Sequence, residues 1–370
     1  MSEQAAESKY EMVKQHILSL LRQNIISFGE KLPSEHELMD QFNVSRNTIR
    51  QAFAELTSAG LIYKEQGKGT FSKYVPKNRN ETKIVAVIST YISDYIFPEI
   101  IFGIEEVLSA EGYSMLLANT NNNKDKETQI LKNIIRNEVV GLIGEPTLSA
   151  QENINLPLFN DLKQKNIQTV FINACYPDVA SASVLLDDEK AGIIATDYLL
   201  QLGHTRIAGI FKKDDIQGLK RRTGYLSALN QHGIPAEPAL IVEYDTANEY
   251  FQPYKLAKSL LRQENRPTAF VCYNDNIALM VIQAVKDCGL AVPGDISIVG
   301  FDDSKKAVET DIKLTTVVHP KVEMGRRAAA LMIELLDHQE EALRNSIEPT
   351  QIVFEPELIV RSSCQRLKSN

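Results

Sequence analysis

Two arginines and an asparagine lie within one short stretch and form the set best suited to chemistry in this chain. Arg46 and Arg50 are four residues apart, so in a helix their guanidinium groups lie on the same face. Guanidinium forks suit guanine and phosphate, and the Asn47 amide suits adenine. Ser45 precedes them as a good N-cap, since its hydroxyl can accept from the free amides of a first turn. The spacing predicts a short helix able to enter the major groove of DNA.

The elements around this helix would hold it in place. Its other face carries apolar residues at helical spacing, namely Ile49, Ala52, Phe53 and Leu56. A preceding helix begins at a capping box formed by Ser34 and Glu37, and it breaks at residues 41–44. An amphipathic helix upstream, within residues 10–21, would cover both. The order predicts a helix-turn-helix.

A glycine-tipped hairpin follows. Gly67, Lys68 and Gly69 lie between residues 61–63 and 70–72, which have strand-like composition, and such a tip needs positive φ. The alternative is a solvated basic helix face followed by an ordinary surface turn. Because capping box, turn, helix and hairpin occur together, the sequence favours a winged helix-turn-helix.

The residues at 32–35, 44–50, 60–62 and 67–71 resemble the GntR-type DNA-binding domain, over nearly all of residues 9–72. By that resemblance, Arg46 and Arg50 contact DNA from the recognition helix, and Glu35 could accept from a cytosine amino group. The tip of the hairpin would enter the minor groove. The DNA-binding set that we predict is Lys9, Glu35, Ser45, Arg46, Asn47, Thr48, Arg50, Gln66, Gly67, Lys68 and Gly69.

Length and charge indicate more than one domain. The chain has 370 residues and a net charge of −8. Residues 1–80 carry 11 Lys and Arg against 9 Asp and Glu, and the rest carries 29 against 39. The acidic balance of the larger part argues against its lying on DNA. We predict a DNA-binding domain at 1–72, a polar linker at 73–82 and a second domain at 83–370.

Beyond the linker, apolar strands alternate with amphipathic helices in two successive cycles. Continuous apolar strands separated by helices indicate parallel sheets covered on both faces. The sequence therefore predicts an α/β domain with two doubly wound lobes. Ligands of such folds bind at the carboxyl ends of the strands, here in a cleft between the lobes.

Polar side chains follow these strands where each one ends. Ser93, Glu145, Asn173, Asn274, Asp302 and His319 are in such positions, with Phe97 nearby. Carboxylates and amides match vicinal hydroxyls, and an aromatic ring can stack on a sugar's C–H face. The set predicts a small polyol or sugar as ligand. In the alternative reading, Asn274 and Asp302 cap helices or close turns, as we expect of Asp275 and Asp303, and His204 belongs to a turn.

Residues 83–362 resemble the LacI/GalR effector domain, which is related to periplasmic sugar-binding proteins. The resemblance runs through residues 199–204, 221–225, 273–278 and 299–303. It implies sugar contacts for Asn173, Arg221, Asn274, Asp302 and His319, although Asn173 stands where many members have Asp. Glu145 is not a standard ligand of that family, and its choice depends on position alone.

The pairing of the two domains is uncommon and resembles the bacterial arabinose repressors. That resemblance implies a homodimeric repressor of sugar utilisation genes that binds operator DNA and is released by L-arabinose. Another sugar or a corepressor is the alternative effector. A glycosidase-like enzyme is the first rival, but Asp302 and Asp303 are adjacent and no nucleophile or metal cluster accompanies them in sequence. A sugar transport receptor is opposed by the winged helix and by the lack of a signal peptide.

The remaining sequence features point to no further cofactor. Cys175, Cys272, Cys288 and Cys364 show no paired spacing, so we expect neither a metal site nor a disulfide. The sequence has no run of 18 apolar residues, so we expect a cytoplasmic protein without a membrane partner.

Overall fold

The computed structural model divides the chain into two compact units, Met1–Thr82 and Lys83–Asn370. The residues that the structure describes are 9–22, 25–65, 67–74, 83–93, 95–338 and 349–367.

The first unit contains helices and a hairpin in the predicted order. They are α1 (Lys9–Arg22), α2 (Glu35–Phe42), α3 (Arg46–Ser58), β1 (Ile62–Glu65) and β2 (Gly69–Ser72). β1 and β2 pair antiparallel, and Lys31 adds a bridge to Phe71. This arrangement confirms the predicted winged helix-turn-helix.

Local hydrogen bonds explain where α2 and α3 begin. The Glu37 amide donates to Ser34 Oγ (3.2 Å), and the Ser34 amide donates to Glu37 Oε2 (2.7 Å), which completes the capping box. Asn43 then adopts φ +49 and ends α2, and Ser45 caps α3. The three helices bury one apolar core, which includes Val13, Ile17, Leu21, Leu38, Ile49, Ala52 and Leu56.

In the second unit, lobe 1 is built on one parallel sheet. Its strands are β3 (Lys83–Ser89), β4 (Tyr113–Asn119), β5 (Val139–Gly144), β6 (Gln168–Ile172), β7 (Ala182–Leu186) and β13 (Gln351–Phe354). Its helices are α4 (Phe97–Ala110), α5 (Lys124–Arg136), α6 (Leu156–Gln164) and α12 (Lys321–Asp337). The strand order is β13-β7-β6-β5-β3-β4 among the described residues.

Lobe 2 repeats this plan. Its strands are β8 (Ile207–Lys212), β9 (Ile241–Tyr244), β10 (Ala269–Cys272), β11 (Ser297–Asp302), β12 (Thr315–Val318) and β14 (Leu358–Ile359). Its helices are α7 (Asp188–Gln201), α8 (Ile216–Gln231), α9 (Gln252–Leu261), α10 (Asp275–Asp287) and α11 (Lys306–Glu309). The described strand order is β14-β12-β11-β10-β8-β9, with β14 antiparallel to β12. The expectation of a wholly parallel sheet is wrong at this edge, because β14 enters from the other lobe.

Both sheets are covered on both faces, as the continuous apolar strands predicted. In β3, Val85 and Val87 pack under α4 and α12, whereas Ala86 and Ile88 pack under α5 and α6. In lobe 2, α9 and α10 cover one face and α7 and α8 the other. The α/β class with two doubly wound lobes is confirmed.

The chain crosses between the lobes at residues 186–188, 318–321 and 354–358. Each crossover leaves one sheet at the end of a strand and enters the other lobe directly. The first and second crossovers include Asp188 and His319, which both line the cavity described below. The fold therefore places polar side chains between the lobes at the segments that join them.

Candidate functional site

The recognition-helix arginines of the first unit converge on one carboxylate. Glu35 Oε2 accepts from Arg46 Nε at 2.7 Å and from Arg50 Nε at 3.4 Å, and Lys64 Nζ lies 3.5 Å from the other oxygen. The hydrogen bond from Arg46 holds the pKa of Glu35 below its ordinary value. The Arg46 and Arg50 side chains remain 63% and 56% exposed, so they can still reach a partner. The structure thus joins α2, α3 and β1 in one charged surface.

The other predicted DNA-binding residues surround this surface or lie in the hairpin. Lys9 and Asn47 are exposed, and Thr48 is half-buried. Ser45 Oγ is used locally, since it accepts from the Thr48 amide and lies 2.9 Å from Thr48 Oγ1. Sequence reasoning missed Lys64, an exposed residue of β1 whose strand carries no periodic signal that marks it.

At the hairpin tip, Gly67 has φ +79 and Gly69 has φ +127, as the turn requires. Lys68 is exposed and pairs with Glu65 at 3.0 Å. Gln66 lies outside the described residues, so its predicted role stays a prediction. The hairpin presents its backbone and one cation at its tip.

In the second unit, a cavity of about 410 Å³ lies between the lobes. Of the predicted effector residues, it is lined by Phe97, Glu145, Asn173, Arg221, Asn274, Asp302 and His319. These side chains come from both lobes and from a crossover, although they are up to 222 positions apart in sequence, from Phe97 to His319. The carboxyl ends of the parallel strands bring them together.

Ser93 is the exception, and the expectation for it is corrected. Its side chain is exposed and is not part of the cavity lining. Ser89 Oγ donates to the carbonyl oxygen of Tyr91, and this bond turns the loop after β3. Tyr91 and Tyr95 occupy the positions that face the cavity instead.

A chain of hydrogen bonds on the lobe 1 side fixes the state of His319. Glu145 accepts from the Asn173 side-chain nitrogen at 2.8 Å, so the amide oxygen faces His319 Nε2, 2.9 Å away. Nε2 therefore carries the proton. Burial lowers the pKa of His319 to about 4, so the ring is neutral near pH 7, and Nδ1 is a buried acceptor with no partner among the described residues. Nδ1 can accept from a ligand hydroxyl.

Glu145 itself is buried. Its carboxylate also accepts from the Thr90 amide at 3.2 Å and from the Thr90 hydroxyl. Burial raises the pKa of Glu145, and the bonds from Thr90 and Asn173 oppose that rise. The donors that surround this carboxylate fix its orientation within the cavity wall.

Arg221 is the central cation on the lobe 2 side. Its Nε donates to Asp188 Oδ1 at 2.8 Å, its Nη1 donates to the Tyr273 carbonyl at 2.6 Å, and Nη2 lies 3.5 Å from Asp302 Oδ1. The guanidinium also lies over the rings of Tyr273 and Phe301. Burial alone would lower the pKa of Arg221, but the two carboxylates raise it, so the group stays charged. Arg221 therefore holds Asp188 by a direct hydrogen bond and faces Asp302 at a longer distance.

Asn274 and Asp302 also have the local roles considered in the sequence. Asn274 caps α10 by accepting from the Ile277 amide at 3.0 Å, and it still lines the cavity. Asp302 ends β11 with φ +94. Asp303 adopts φ +46 and accepts from Arg361 at 2.6 Å. Cap or turn geometry and cavity lining therefore coexist in Asn274 and Asp302.

Sequence reasoning missed several polar and aromatic lining residues, namely Thr90, Tyr91, Tyr95, Asn122, Asp188, Lys212, Glu249 and Tyr273. Lys212 is the most informative of them, since it is buried and lies 3.6 Å from Glu249 and 3.8 Å from Asp215. Its position at the end of an apolar strand was the signal that could have found it. The cavity thus contains paired charges of both signs.

Hydrogen bonds across the rim of the cavity join the lobes. Asn122 Nδ2 donates to Thr246 Oγ1 at 2.8 Å, and the Ile216 amide donates to Ser149 Oγ at 2.9 Å. Tyr91 Oη donates to Glu249 at 3.3 Å. The structure therefore shows the two lobes in contact around the cavity.

His204 closes the turn after α7, as expected, since its amide donates to the Leu199 carbonyl at 3.1 Å, and its ring is also part of a buried network. Its Nδ1 lies 2.9 Å from Thr268 Oγ1, and its Nε2 lies 3.0 Å from both Ser297 Oγ and the Gln365 carbonyl. The ring follows the end of α7 but turns inward, because these groups satisfy both nitrogens. It ties the C-terminal segment to lobe 2.

Asp275, at the start of α10, is buried as well. It accepts from the Ser304 amide at 2.7 Å and from the Thr316 hydroxyl at 2.7 Å. Burial raises the pKa of Asp275 to about 7 from an ordinary 3.8, and the charge of Asp302 adds to the rise. The folded protein therefore holds this proton more tightly than the unfolded chain does. The stability that this group contributes is complete below pH 3.8 and is lost as pH rises through about 7.

We expect Asp275→Asn to become more stable relative to the unsubstituted protein as pH rises from about 5 to about 8, by up to ~3 kcal/mol. The amide cannot ionise, so it does not incur the cost of a buried charge. Urea unfolding of both proteins across this pH range measures the difference. A difference in free energy of unfolding that is constant across the range would contradict the assignment.

Within the described ranges, no group of three or more His, Cys, Asp or Glu side chains could hold a metal ion. The four cysteines are free thiols. In those same ranges, no helix has the length and apolar character needed to span a bilayer.

Comparison with known proteins covers both units. Residues 9–71 match the model of the bacterial regulatory proteins of the gntR family, and residues 196–364 match that of a periplasmic binding protein-like domain. The chain is 45% identical over 362 residues to the arabinose metabolism transcriptional repressor of Geobacillus stearothermophilus, covering 97% of this chain and 98% of the relative. It is 40% identical to the protein of the same name from Halalkalibacterium halodurans, covering 98% of each. The crystal structure of the transcription regulator CcpA of Lactococcus lactis is similar over 77% of this chain and 100% of that one, with 28% identity and a TM-score of 0.67.

Proposed function

This chain belongs to the family of arabinose metabolism transcriptional repressors, and from that premise we propose that L-arabinose releases it from operator DNA. The observation that carries the proposal is the presence in one chain of a winged helix with two exposed arginines and of a polar cavity between two lobes. The first binds the double helix, and the second binds the effector. Since the relatives are repressors, we propose that the carboxylates of the cavity bind the sugar without cleaving it.

The chemistry of the cavity supports a neutral sugar. Asp302, Asn274 and Glu145 offer acceptors and donors that match vicinal hydroxyls, and the open Nδ1 of His319 adds one acceptor. The ring of Phe97 can stack on the C–H face of a sugar. Arg221 and Lys212 are already paired with carboxylates, which disfavours an anionic ligand.

The proposed mechanism couples lobe closure to the spacing of two DNA-binding domains. A homodimer in the cytoplasm would place two winged helices on two half-sites, whose separation is fixed by the DNA helix. Sugar binding stabilises the closed lobes, changes the dimer interface and moves the winged helices out of register. A coupling of ~1–3 kcal/mol corresponds to a loss of operator affinity of roughly 5- to 150-fold.

Two measurements on the full chain test the proposal. Calorimetry against a panel of pentoses and hexoses should show that L-arabinose binds most tightly. Gel-shift titration of operator DNA should show weaker binding when L-arabinose is saturating. If operator affinity does not change with L-arabinose, the proposed regulation is wrong. If another sugar binds more tightly, that sugar and not L-arabinose is the effector.

The charged surface on the first unit yields a separate prediction. In Glu35→Ala, the cations Arg46, Arg50 and Lys64 lose their shared carboxylate. We expect binding to a scrambled duplex to strengthen and its log–log salt slope to steepen by about 1, since roughly one more cation becomes available for phosphate. Discrimination between operator and scrambled DNA should fall, because the arginines lose the group that orients them.

Titrations of both duplexes at several salt concentrations measure these effects. Glu55→Ala is the matched control, because it removes the same charge from α3 but frees Lys14 instead (2.9 Å). Equal salt slopes for Glu35→Ala and the unsubstituted protein would show that Glu35 does not neutralise the DNA-binding cations.

A further inference from the structure

The carboxylate of Asp302 is held in an unusual backbone conformation at the end of β11. Asp302 has φ +94 and Asp303 has φ +46, a region that L residues other than Asn and Asp rarely adopt. Such a conformation persists only where surrounding groups hold it. Two of the groups that hold it come from the other lobe.

The first is the phenol of Tyr95, in the lobe 1 loop before α4. Its hydroxyl donates to Asp302 Oδ2 at 2.6 Å and accepts from the Asp275 amide at 3.1 Å. The carbonyl oxygen of Phe301 lies 3.1 Å from the same hydroxyl. Tyr95 itself has φ +64, so its own loop is strained in the position that makes these contacts. One lobe 1 hydroxyl thus contacts a carbonyl, a carboxylate and an amide of the lobe 2 wall.

The second is the ammonium of Lys321, the first residue of α12 in lobe 1. Its Nζ donates to the carbonyl oxygens of Asp302 at 2.8 Å and Asp303 at 2.9 Å. A longer contact of 3.4 Å reaches the carbonyl of His319 in the second crossover. Lys321 ends the second crossover and begins α12, so its ammonium binds the backbone of the two residues with positive φ from the lobe 1 end of that crossover.

The remaining neighbours of Asp302 belong to lobe 2 or to the crossover. Arg221 faces Oδ1 at 3.5 Å, and Asp275 lies close enough for its charge to oppose that of Asp302. The charge of Asp302 also acts on His319. Within lobe 2, one cation thus attracts the carboxylate, and two acids, Asp188 and Asp275, repel it. Its orientation then depends on what lobe 1 adds.

We propose that Tyr95 and Lys321 form a lobe 1 clamp, and that this clamp positions Asp302 for the sugar only when the lobes are closed. The inference rests on the proposed function, in which Asp302 binds a sugar hydroxyl. Tyr95 and Lys321 are positioning residues, because they act through Asp302. Closure of the lobes then also completes the binding site, so a variant that weakens the clamp binds the sugar less tightly.

Tyr95→Phe and Lys321→Met test the clamp in the full chain, because each removes a polar tip and keeps most of the side chain. Calorimetry with L-arabinose should show affinity reduced about 10-fold or more in each variant, as expected for hydrogen bonds that involve a charged group. If the two residues serve one clamp, the sugar affinity of the double variant should be no more than about 3-fold below that of the single variant that binds sugar less tightly. Independent structural roles would multiply the two losses.

Hydrogen exchange, measured with and without saturating L-arabinose so that the closed lobes are sampled, gives a second readout. The backbone amides of residues 302–304 should exchange faster in both variants, because the clamp no longer holds them. Tyr254→Phe and Lys305→Met are the matched controls: Tyr254 donates to Asp287 within lobe 2, and Lys305 pairs with Glu99 across the lobes at 3.5 Å without contacting Asp302. Both controls should leave exchange at residues 302–304 unchanged.

The outcomes separate the clamp from the proposed function. Single variants with unaltered sugar affinity, or a double variant whose loss equals the product of the single losses, would overturn the clamp while the repressor function stands. Failure of the unsubstituted protein to bind any sugar would overturn the proposed function, and amide exchange would then decide the clamp alone. Unaltered exchange in both variants would overturn it.

Discussion

Operator affinity is expected to fall about 10- to 100-fold when Arg50 is replaced by alanine, since a bidentate guanidinium contact to a base contributes ~1–3 kcal/mol. Arg50 is exposed on α3, and Glu35 fixes its Nε from one side. The terminal nitrogens of the fork remain available to a guanine or a phosphate. Sugar affinity should stay unchanged, because the effector cavity belongs to the other unit.

Gel-shift titration with operator and scrambled duplexes measures this effect. Arg262→Ala provides the control, because it removes one exposed positive charge from the effector unit, just beyond α9. If Arg50 reads a base, the loss should be larger for the operator than for the scrambled duplex. An equal loss of affinity for both duplexes would show that Arg50 contacts phosphate and does not read a base.

Replacing Asp302 by asparagine should lower the affinity for L-arabinose about 10- to 100-fold. At sugar concentrations that fully release the unsubstituted protein from the operator, the variant should stay bound. The substitution exchanges a carboxylate for an amide of the same shape, so packing is retained while the negative charge opposite Arg221 is lost. In the variant, one carboxylate oxygen is replaced by an amide nitrogen, which donates a hydrogen bond and cannot accept one. A sugar hydroxyl that donates to that oxygen therefore loses its acceptor.

Asp303→Asn is the matched control, since the neighbouring carboxylate pairs with Arg361 and does not line the cavity. Calorimetry gives the sugar affinity of both variants, and operator titration without sugar checks that DNA binding is intact. Equal sugar affinity in Asp302→Asn and Asp303→Asn would remove Asp302 from the binding site.

The winged helix was predictable because its signals are local. Ser34 with Glu37 and Ser45 with Thr48 act within three residues of each other, so spacing alone indicates where the helices begin. The pairing of Glu35 with both arginines could not be found in this way. It depends on the angle between two helices, which the turn at Asn43 sets.

Residues of the cleft were predictable where a strand end places them. Asn274 and Asp302 follow apolar strands, and the carboxyl ends of parallel strands converge. Ser93 also follows a strand, but the direction of its loop is set by tertiary contacts, and it points outward. Lys212 was missed because it precedes Lys213 and Asp214, and such a charged run has the composition of a surface loop.

The order of the strands and the crossovers could not be predicted. An apolar strand carries no mark of which strand lies beside it, and β7 and β13 are neighbours although about 165 residues separate them in sequence. The short β7 was also not identified as a strand. Its role as the last strand before the first crossover is visible only in the assembled sheet.

The crossovers have a consequence for how the protein is made. The first strand of lobe 1 begins at Lys83, but its edge strand is formed by Gln351–Phe354. Lobe 2 likewise has an edge strand formed by Leu358–Ile359. A ribosome releases the N-terminal part of a chain first, so the winged helix can fold before the second unit, whereas both large sheets lack a strand until residues 351–359 have been made. A nascent chain that stops before residue 351 would therefore leave both lobes incomplete, with β7 and β12 each lacking a partner strand.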